Sequence, residues 1–279
     1  MTDLVVPEGL VAREAARDHG HPRWLLAFSF WLLLYRRTWR GSILSTFVYP
    51  TLYLASIGIG LGGLVNRHVG AHALSLGGVS YLRFVAPGIL AASAMQIGIN
   101  EASWPVMSAI RWQRSYLAQC ATPLRVIDVF VGHLAWIALR LLFTCAVFVA
   151  ISAGFGAVTS PFSLVEIIAA TLLGLAFATP MAALAAALQG DEAFSTINRL
   201  VIVPLFLFSG SFFPIAQLPP QLRLLAELTP LYHGVALCRS LAGGQLLLWS
   251  NLVHLVYLLV LAILGVALGR RTYSRRLER

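Results

Sequence analysis

The sequence predicts an all-α integral membrane protein with six transmembrane helices, an N-terminal interfacial helix and re-entrant extracellular half-helices before the last span. The first observation is composition: 58% of the 279 residues are hydrophobic and 11% are charged, which leaves too little polar surface to cover a water-soluble globule. The second is that long apolar runs alternate with loops that carry the charges. The positive charges, which give the chain a net charge of +9, lie in loops at the membrane surface. We therefore use them to predict the orientation of the spans, and we expect no nucleic-acid partner.

The N-terminal segment, residues 1–41, is predicted to be cytoplasmic and to contain an amphipathic helix. Its apolar run, Trp24 to Tyr35, is followed by Arg36 and Arg37 and has no small-residue cleavage site, which argues against a removable signal peptide. Aromatic residues recur at steps of three and four, which places them on one helical face: Trp24, Phe28, Trp31, Tyr35 and Trp39. We interpret this segment as a helix in the plane of the membrane interface. The alternative is an apolar lead-in to a longer, tilted first span.

A transmembrane domain is predicted over residues 42–269, because a bilayer core about 30 Å thick requires ~20 apolar residues in a helix. Six stretches approach that length: 43–64, 84–100, 126–151, 164–188, 197–213 and 252–268. The fifth contains Pro204 and is followed by Pro214, and the sixth is also short, so their boundaries are the least sharply defined.

The arginines predict that both termini are cytoplasmic. With the N-terminus inside, most arginines flank the cytoplasmic ends of the spans, including the basic tail 270–279, and four fall outside: Arg67, Arg83, Arg223 and Arg239. All 20 basic residues are arginine, a usage typical of GC-rich bacterial genomes. The expected location is therefore a bacterial inner membrane, crossed several times.

The missing residue types exclude several enzyme classes. A P-loop and a Schiff-base enzyme both require lysine, which is absent from the sequence. The seven histidines and three cysteines do not show the spacing of a metal site or a catalytic triad. We therefore predict no catalytic residue, no metal and no cofactor in this chain.

Three charged residues in or beside the spans are candidates for a gate or a translocation path: Glu101, Asp128 and Arg140. Arg140 lies inside the third span, where it could line a conduit and attract an anionic headgroup, pair with a carboxylate on another helix, or snorkel outward. Glu101 and Asp128 lie at the predicted cytoplasmic ends of spans two and three. They could form an inner gate, or they could anchor helix ends by pairing with nearby arginines.

The predicted cytoplasmic loop 102–124 is long enough to reach a partner. Pro105 can open a helix there, and the following residues give a basic and aromatic surface of the kind enriched in protein interfaces: Arg111, Trp112, Arg114 and Tyr116. The alternative is an amphipathic loop on anionic lipid headgroups. The residues alone leave both interpretations open.

Residues 214–251 contain apolar pieces too short to span, separated by proline and glycine, which predicts half-helices that dip back into the outer leaflet. The residues that define this segment and its approach are Gly210, Pro214, Pro219, Pro220 and Pro230.

Several motifs resemble one family, the permease subunits of ABC type-2 exporters, to which the nodulation protein NodJ and daunorubicin-resistance permeases belong. The resemblance rests on PLFLFSGSFFP at 204–214, QLPP at 217–220, LTPLYHG at 228–234 and RSYLAQCATPLR at 114–125. The six-span layout with an in-plane N-terminal helix extends it over nearly the whole chain.

This resemblance implies a division of labour between subunits. Two copies of this or a similar permease would assemble with two separate ABC ATPase subunits, which would bind ATP and Mg. The surface at 111–116 would be the coupling helix, and 218–243 would supply the re-entrant helices. The family's substrates are lipo-oligosaccharides, polysaccharide precursors, teichoic acids, glycolipids and hydrophobic drugs.

Two other function classes are alternatives to an exporter. An integral-membrane lipid-modifying enzyme would need clustered histidine and acidic residues at one membrane face, which the sequence does not supply. A gradient-driven transporter would need carboxylates deep in the bilayer, whereas the deep charge is Arg140, which does not release a proton.

Overall fold

The structure, a computed structural model, describes residues 22–56, 60, 80–246 and 249–278. In this part of the chain every regular element is helical: α1 Trp24–Ile43, α2 Tyr49–Ala55, α3 Tyr81–Arg111, α4 Ser115–Cys120, α5 Val126–Gly154, α6 Ser163–Ala187, α7 Glu192–Ile197, α8 Val203–Phe208, α9 Pro220–Glu227, α10 Pro230–Ala242 and α11 Trp249–Leu277. Two π-helical turns, Leu44–Val48 and Asn198–Ile202, and a 3₁₀ turn, Ile215–Gln217, lie between them.

Four of the described helices are long and apolar enough to cross a membrane: α3, α5, α6 and α11. They have 31, 29, 25 and 29 residues, so at 1.5 Å per residue each exceeds the bilayer core of about 30 Å. They correspond to the second, third, fourth and sixth predicted spans. The prediction of an all-helical, multi-pass membrane protein is therefore confirmed.

The first and fifth predicted spans are only partly described or interrupted. For span one, α1 continues through a π-helical turn into α2 without a loop, and the later residues of the predicted span, apart from Gly60, lie outside the described residues, as do residues 1–21. For span five, α7, a π-helical turn and α8 form one helical path that ends at Phe208, short of the predicted end at Phe213. Pro204 at the start of α8 explains the local change of winding, because proline lacks a backbone donor. The six-span count stays a prediction.

The second predicted span differs from the structure at its end. Helix α3 continues to Arg111, beyond the predicted end at Asn100, and Pro105 lies inside it instead of opening a new helix. The continuation adds about 16 Å to the helix. The chain then turns at Arg114, which has a left-handed backbone with φ of 51°, and enters α4. The predicted loop 102–124 is therefore mostly helical.

Small residues allow the helices to pack closely. Helix α6 lies against α3, α5 and α11, and α1 lies against α5. Gly98 of α3 meets the backbone of Gly174 of α6, and Gly265 of α11 meets Pro180 of α6. A side chain at either glycine would collide with its neighbour, so these contacts set the helix spacing as they do in other membrane bundles.

Candidate functional site

The end of the bundle where α3 ends, α5 begins and α11 ends is referred to below as the arginine-rich end. Arg111, Trp112 and Arg114 are exposed there, and they line one cavity of about 470 Å³ together with Ile110, Leu117 and Arg276. The aromatic surface continues to Trp104, whose ring stacks on Trp112 with centroids 6.0 Å apart. Three of the four predicted coupling residues thus share one open surface.

Tyr116, the fourth, does not belong to that surface. It is fully buried, and its hydroxyl is hydrogen-bonded to His133 Nδ1 at 2.6 Å. The reason is the position of α4, which lies across the ends of α5 and α11 and turns this residue inward. Burial, with a smaller contribution from Tyr273, raises the pKa of the Tyr116 hydroxyl well above its ordinary value, so the residue is a neutral anchor.

The anchor joins four elements of the fold. The ring of Trp31, from α1, stacks on His133 of α5 with centroids 4.2 Å apart. Tyr273, from α11, packs against Tyr116 of α4 with centroids 5.8 Å apart. Trp31, the central aromatic residue predicted for the interfacial face of the N-terminal helix, is thus buried against protein. The orientation of α1 in the interface plane stays a prediction.

Two of the three candidate gate residues meet inside the bundle. Arg140 Nη1 of α5 lies 3.1 Å from Glu101 Oε1 of α3, and its guanidinium lies 5.4 Å from the ring centroid of Tyr35 in α1. The sequence predicts Glu101 at the end of a span. In the structure it lies inside α3, which continues about 15 Å beyond it. The geometry favours the interpretation in which Arg140 pairs with a carboxylate of another helix.

Asp128 lies apart from this pair. Its Oδ2 accepts a hydrogen bond from the backbone N–H of Arg125 at 3.0 Å, at the first turn of α5. A carboxylate there satisfies a free donor and interacts favourably with the helix dipole. The structure thus supports the helix-anchoring alternative for Asp128.

The glycine of the family signature occupies a special backbone position. Gly210 has φ of 83°, and a Cβ there would lie 2.7 Å from Ile215 Cγ2. Its carbonyl accepts a hydrogen bond from Arg239 Nη2 at 3.0 Å, and Arg239 Nε also donates to the carbonyl of Phe84 at 3.3 Å. The guanidinium lies over the Phe84 ring, 3.9 Å from its centroid. Arg239 therefore fixes this turn to the start of α3.

The prolines of the signature begin short helical elements. Pro214 precedes the 3₁₀ turn, and Pro219 and Pro220 precede and begin α9. Pro230 is the first residue of α10, where the Thr229 hydroxyl caps the helix by accepting from the Tyr232 N–H at 3.3 Å. Proline at these positions loses no helical hydrogen bond and already has the required φ.

Two features were missed at the level of sequence. Glu166 is buried in the first turn of α6 and forms no ion pair with any described residue; it lines a small cavity with the unpartnered hydroxyls of Ser152 and Ser163. A single acidic residue at the start of a predicted span was the available signal. The second feature is a pair of histidines, His233 of α10 and His254 of α11, whose Nδ1 atoms are 2.7 Å apart. His233 and His254 are 21 positions apart and lie on different helices, so no local sequence pattern links them.

Within the described ranges, no group of three or more histidine, cysteine, aspartate or glutamate side chains is arranged to hold a metal ion. The described side chains of the arginine-rich end offer charge and aromatic contact, and Glu101 and Arg140 form a polar pair between the helices.

Comparison of the sequence with known proteins identifies the family of this chain. The ABC-2 type transporter profile matches residues 24–242. Curated proteins named Nodulation protein J are similar to the chain. That of Rhizobium leguminosarum bv. viciae is 32% identical over 259 residues, covering 88% of this chain and 95% of the relative. That of Rhizobium meliloti (strain 1021) is 31% identical over 256 residues, covering 88% and 94%. No solved structure matches. The chain therefore belongs to the ABC-2 type transporter family and is a multi-pass membrane protein of that family.

Proposed function

We propose that this chain is the permease subunit of an ATP-driven exporter in the bacterial inner membrane, with both termini cytoplasmic. Its substrate would be lipid-linked, a glycolipid or polysaccharide, or an amphipathic drug-like molecule. The proposal rests on an exposed basic and aromatic surface at the arginine-rich end of this chain, which belongs to the ABC-2 type transporter family. Arg111 and the C-cap residue Trp112 end α3, and Arg114 immediately precedes α4.

A separate ATPase subunit would supply the energy. The chain has no lysine for a P-loop, so ATP and Mg would bind to two copies of that partner. Closure of the ATPase dimer would push on the surface around Arg111, and the continuous helix α3 would carry the movement into the membrane. A second copy of this or a similar permease would complete the path.

The described helices support a six-span layout with two re-entrant half-helices. Helices α9 and α10 contain 8 and 13 residues, or about 12 and 20 Å, too short for a bilayer core of about 30 Å. Helix α10 packs against α3, α6 and α11, which would shield its ends inside the bundle. The path from α7 to α8 exposes Leu200 and Leu207, as expected of a fifth span that faces lipid or a second permease.

The first experiment is purification of the tagged chain from its native host in mild detergent, with mass spectrometry and an ATPase assay. A stoichiometric partner with a P-loop and vanadate-sensitive ATP hydrolysis would support the proposal. A chain recovered alone and without ATPase activity would refute it.

A gradient-driven transporter is the second candidate, and one observation favours it. Glu166 is a buried carboxyl group without an ion pair in the described residues, and such groups in spans often mark proton or ion paths. Transport of substrate into inverted vesicles, whose cytoplasmic face points outward, separates the two candidates. Export that vanadate stops and a protonophore does not supports the ATP-driven exporter, whereas the reverse pattern supports the gradient-driven alternative.

A further inference from the structure

The end of α11 forms part of the surface proposed above to contact the ATPase. Arg276 of α11 lines the same cavity as Arg111 and Arg114, although more than 160 positions separate them in sequence. None of these three arginines has a carboxylate of the described residues within ion-pair distance; the described ion pairs are Glu101 with Arg140 and Arg223 with Glu227. Three like charges around one open cavity repel each other only weakly in water, and their shared positive potential favours an anionic partner there.

The position of Arg276 is fixed by the buried face of its helix. One turn earlier, Tyr273 is fully buried and its ring lies 4.7 Å from the Phe130 ring centroid of α5. Gly269, one turn earlier again, lets Phe130 approach the α11 backbone. One residue after Arg276, Leu277 is also buried. The end of α11 is therefore packed onto α4 and α5 and is not a loose tail.

The surroundings of the cavity favour a protein partner over a lipid headgroup. Trp112 is 60% exposed and Leu117 is 41% exposed, and they flank the arginines. Exposed tryptophan beside arginine is the composition of binding hot spots. Arg111 also lies about 16 Å along the axis of α3 from Asn100, the predicted end of the span, whereas a headgroup region is only about 5 to 8 Å deep on each side. With α3 near the membrane normal, Arg111 would lie beyond the headgroups.

We propose that Arg276 completes a three-arginine pocket with Arg111 and Arg114, and that this pocket receives an acidic side chain of the ATPase subunit. This inference rests on the proposed function. It makes the last helix, through Tyr273 and Tyr116, a second connection between the ATPase and the membrane domain, beside α3.

The test compares Arg276→Glu with Arg275→Glu in the full chain. Arg275 is the exposed neighbour that does not line the cavity, so it is a matched control for charge. Each variant is reconstituted in nanodiscs of zwitterionic lipid, and binding of the ATPase recovered with the wild-type chain is measured. We expect Arg276→Glu to weaken binding by ~10-fold or more and Arg275→Glu by less than about 2-fold. Arg276→Gln provides the same comparison if the charge reversal prevents folding.

Several outcomes are distinguishable. If wild-type chain binds no ATPase, the proposed function fails. If it binds and the two variants behave like wild type, the function stands and the pocket assignment is overturned. If Arg276→Glu leaves ATPase binding unchanged but reduces association with anionic vesicles, the pocket binds lipid headgroups and the assignment is again overturned. Selective loss of ATPase binding in Arg276→Glu supports it.

Discussion

At the scale of single residues, two arginines within the bundle each meet a polar group of another element. Glu101 and Arg140 neutralise each other between α3 and α5, 3.1 Å apart, and both are mostly buried. A charge at that depth is costly unless it is paired. Arg239 likewise satisfies two backbone carbonyls, those of Phe84 and Gly210. These residues connect helices of the bundle.

Removal of one partner of the buried ion pair tests this structural role. Arg140→Leu should lower stability by about 1 to 3 kcal/mol, because Glu101, whose side chain is 15% exposed, would stay largely desolvated without its partner. The double variant Glu101→Leu with Arg140→Leu should recover most of the loss. Thermal unfolding in detergent, followed by tryptophan fluorescence, measures both. A stable Arg140→Leu variant with impaired export would instead assign Arg140 to the substrate path.

Gly210 offers a second test at this scale. Gly210→Ala should cost about 1 to 2 kcal/mol, because a left-handed backbone disfavours a Cβ and because that atom would meet Ile215. Gly154→Ala is the control, since Gly154 has an ordinary φ and open space around it. The same unfolding assay applies. Equal stability of the two variants would contradict the role assigned to the turn at Gly210.

At the scale of elements, α4 is the joint between the exposed surface and the helices. Its outer side borders the arginine cavity through Leu117, while Tyr116 binds His133 on its inner side. Trp31 of α1 and Tyr273 of α11 complete the contact. A force applied to α4 would therefore reach three helices at once, because close-packed side chains transmit displacement.

Tyr116→Phe tests the polar part of this joint. The variant keeps the ring and loses the hydrogen bond to buried His133, which should cost about 1 to 2 kcal/mol of stability. Stimulation of the ATPase by substrate should decrease in the reconstituted complex, while ATPase binding should be retained. Leu117→Ala, which changes the exposed side of the same helix, is the control for stability. An unaltered unfolding temperature in Tyr116→Phe would show that the hydrogen bond is unimportant.

At the scale of the whole molecule, the bundle combines a rigid centre with an exposed periphery. Helix α6 lies among α3, α5 and α11 at small-residue contacts such as Gly98 with Gly174. The path from α7 to α8 is different: among its residues only Phe194 and Ile202 are buried. An exporter needs both, because a rigid centre transmits movement and an apolar periphery accepts lipid or a second subunit.

Charge reversal at the arginine-rich end, the proposed contact with the ATPase, tests the function of the whole assembly. Arg111→Glu with Arg114→Glu should abolish export and weaken ATPase binding by ~10-fold or more, with membrane insertion unchanged, because these side chains are exposed outside the bundle. Arg270→Glu with Arg275→Glu alters the charge equally on exposed positions away from the cavity. Export in vesicles and pull-down of the ATPase measure the effect. Normal export in the Arg111→Glu, Arg114→Glu variant would rule out this surface as the contact with the ATPase.

The sequence by itself determined the features that depend on local composition. The length of the apolar runs predicts α3, α5, α6 and α11, since a bilayer requires about 20 apolar residues whatever the neighbouring helices are. The missing lysine excludes a P-loop, and the glycine and prolines of the signature predict a break and new helix starts. Each of these signals depends only on residues close together in the chain, so a single sequence is enough to recognise it.

Only the tertiary structure decided which residues meet. Arg140 had several possible partners, and the rotation and register of α3 against α5 selected Glu101. Tyr116 has a surface-like neighbourhood in sequence, yet α4 folds back and buries it. Arg276 joins Arg111 because α11 ends beside α4. The physical reason is that such pairings depend on helix packing summed over many distant contacts, whereas hydrophobic length is a property of each segment alone.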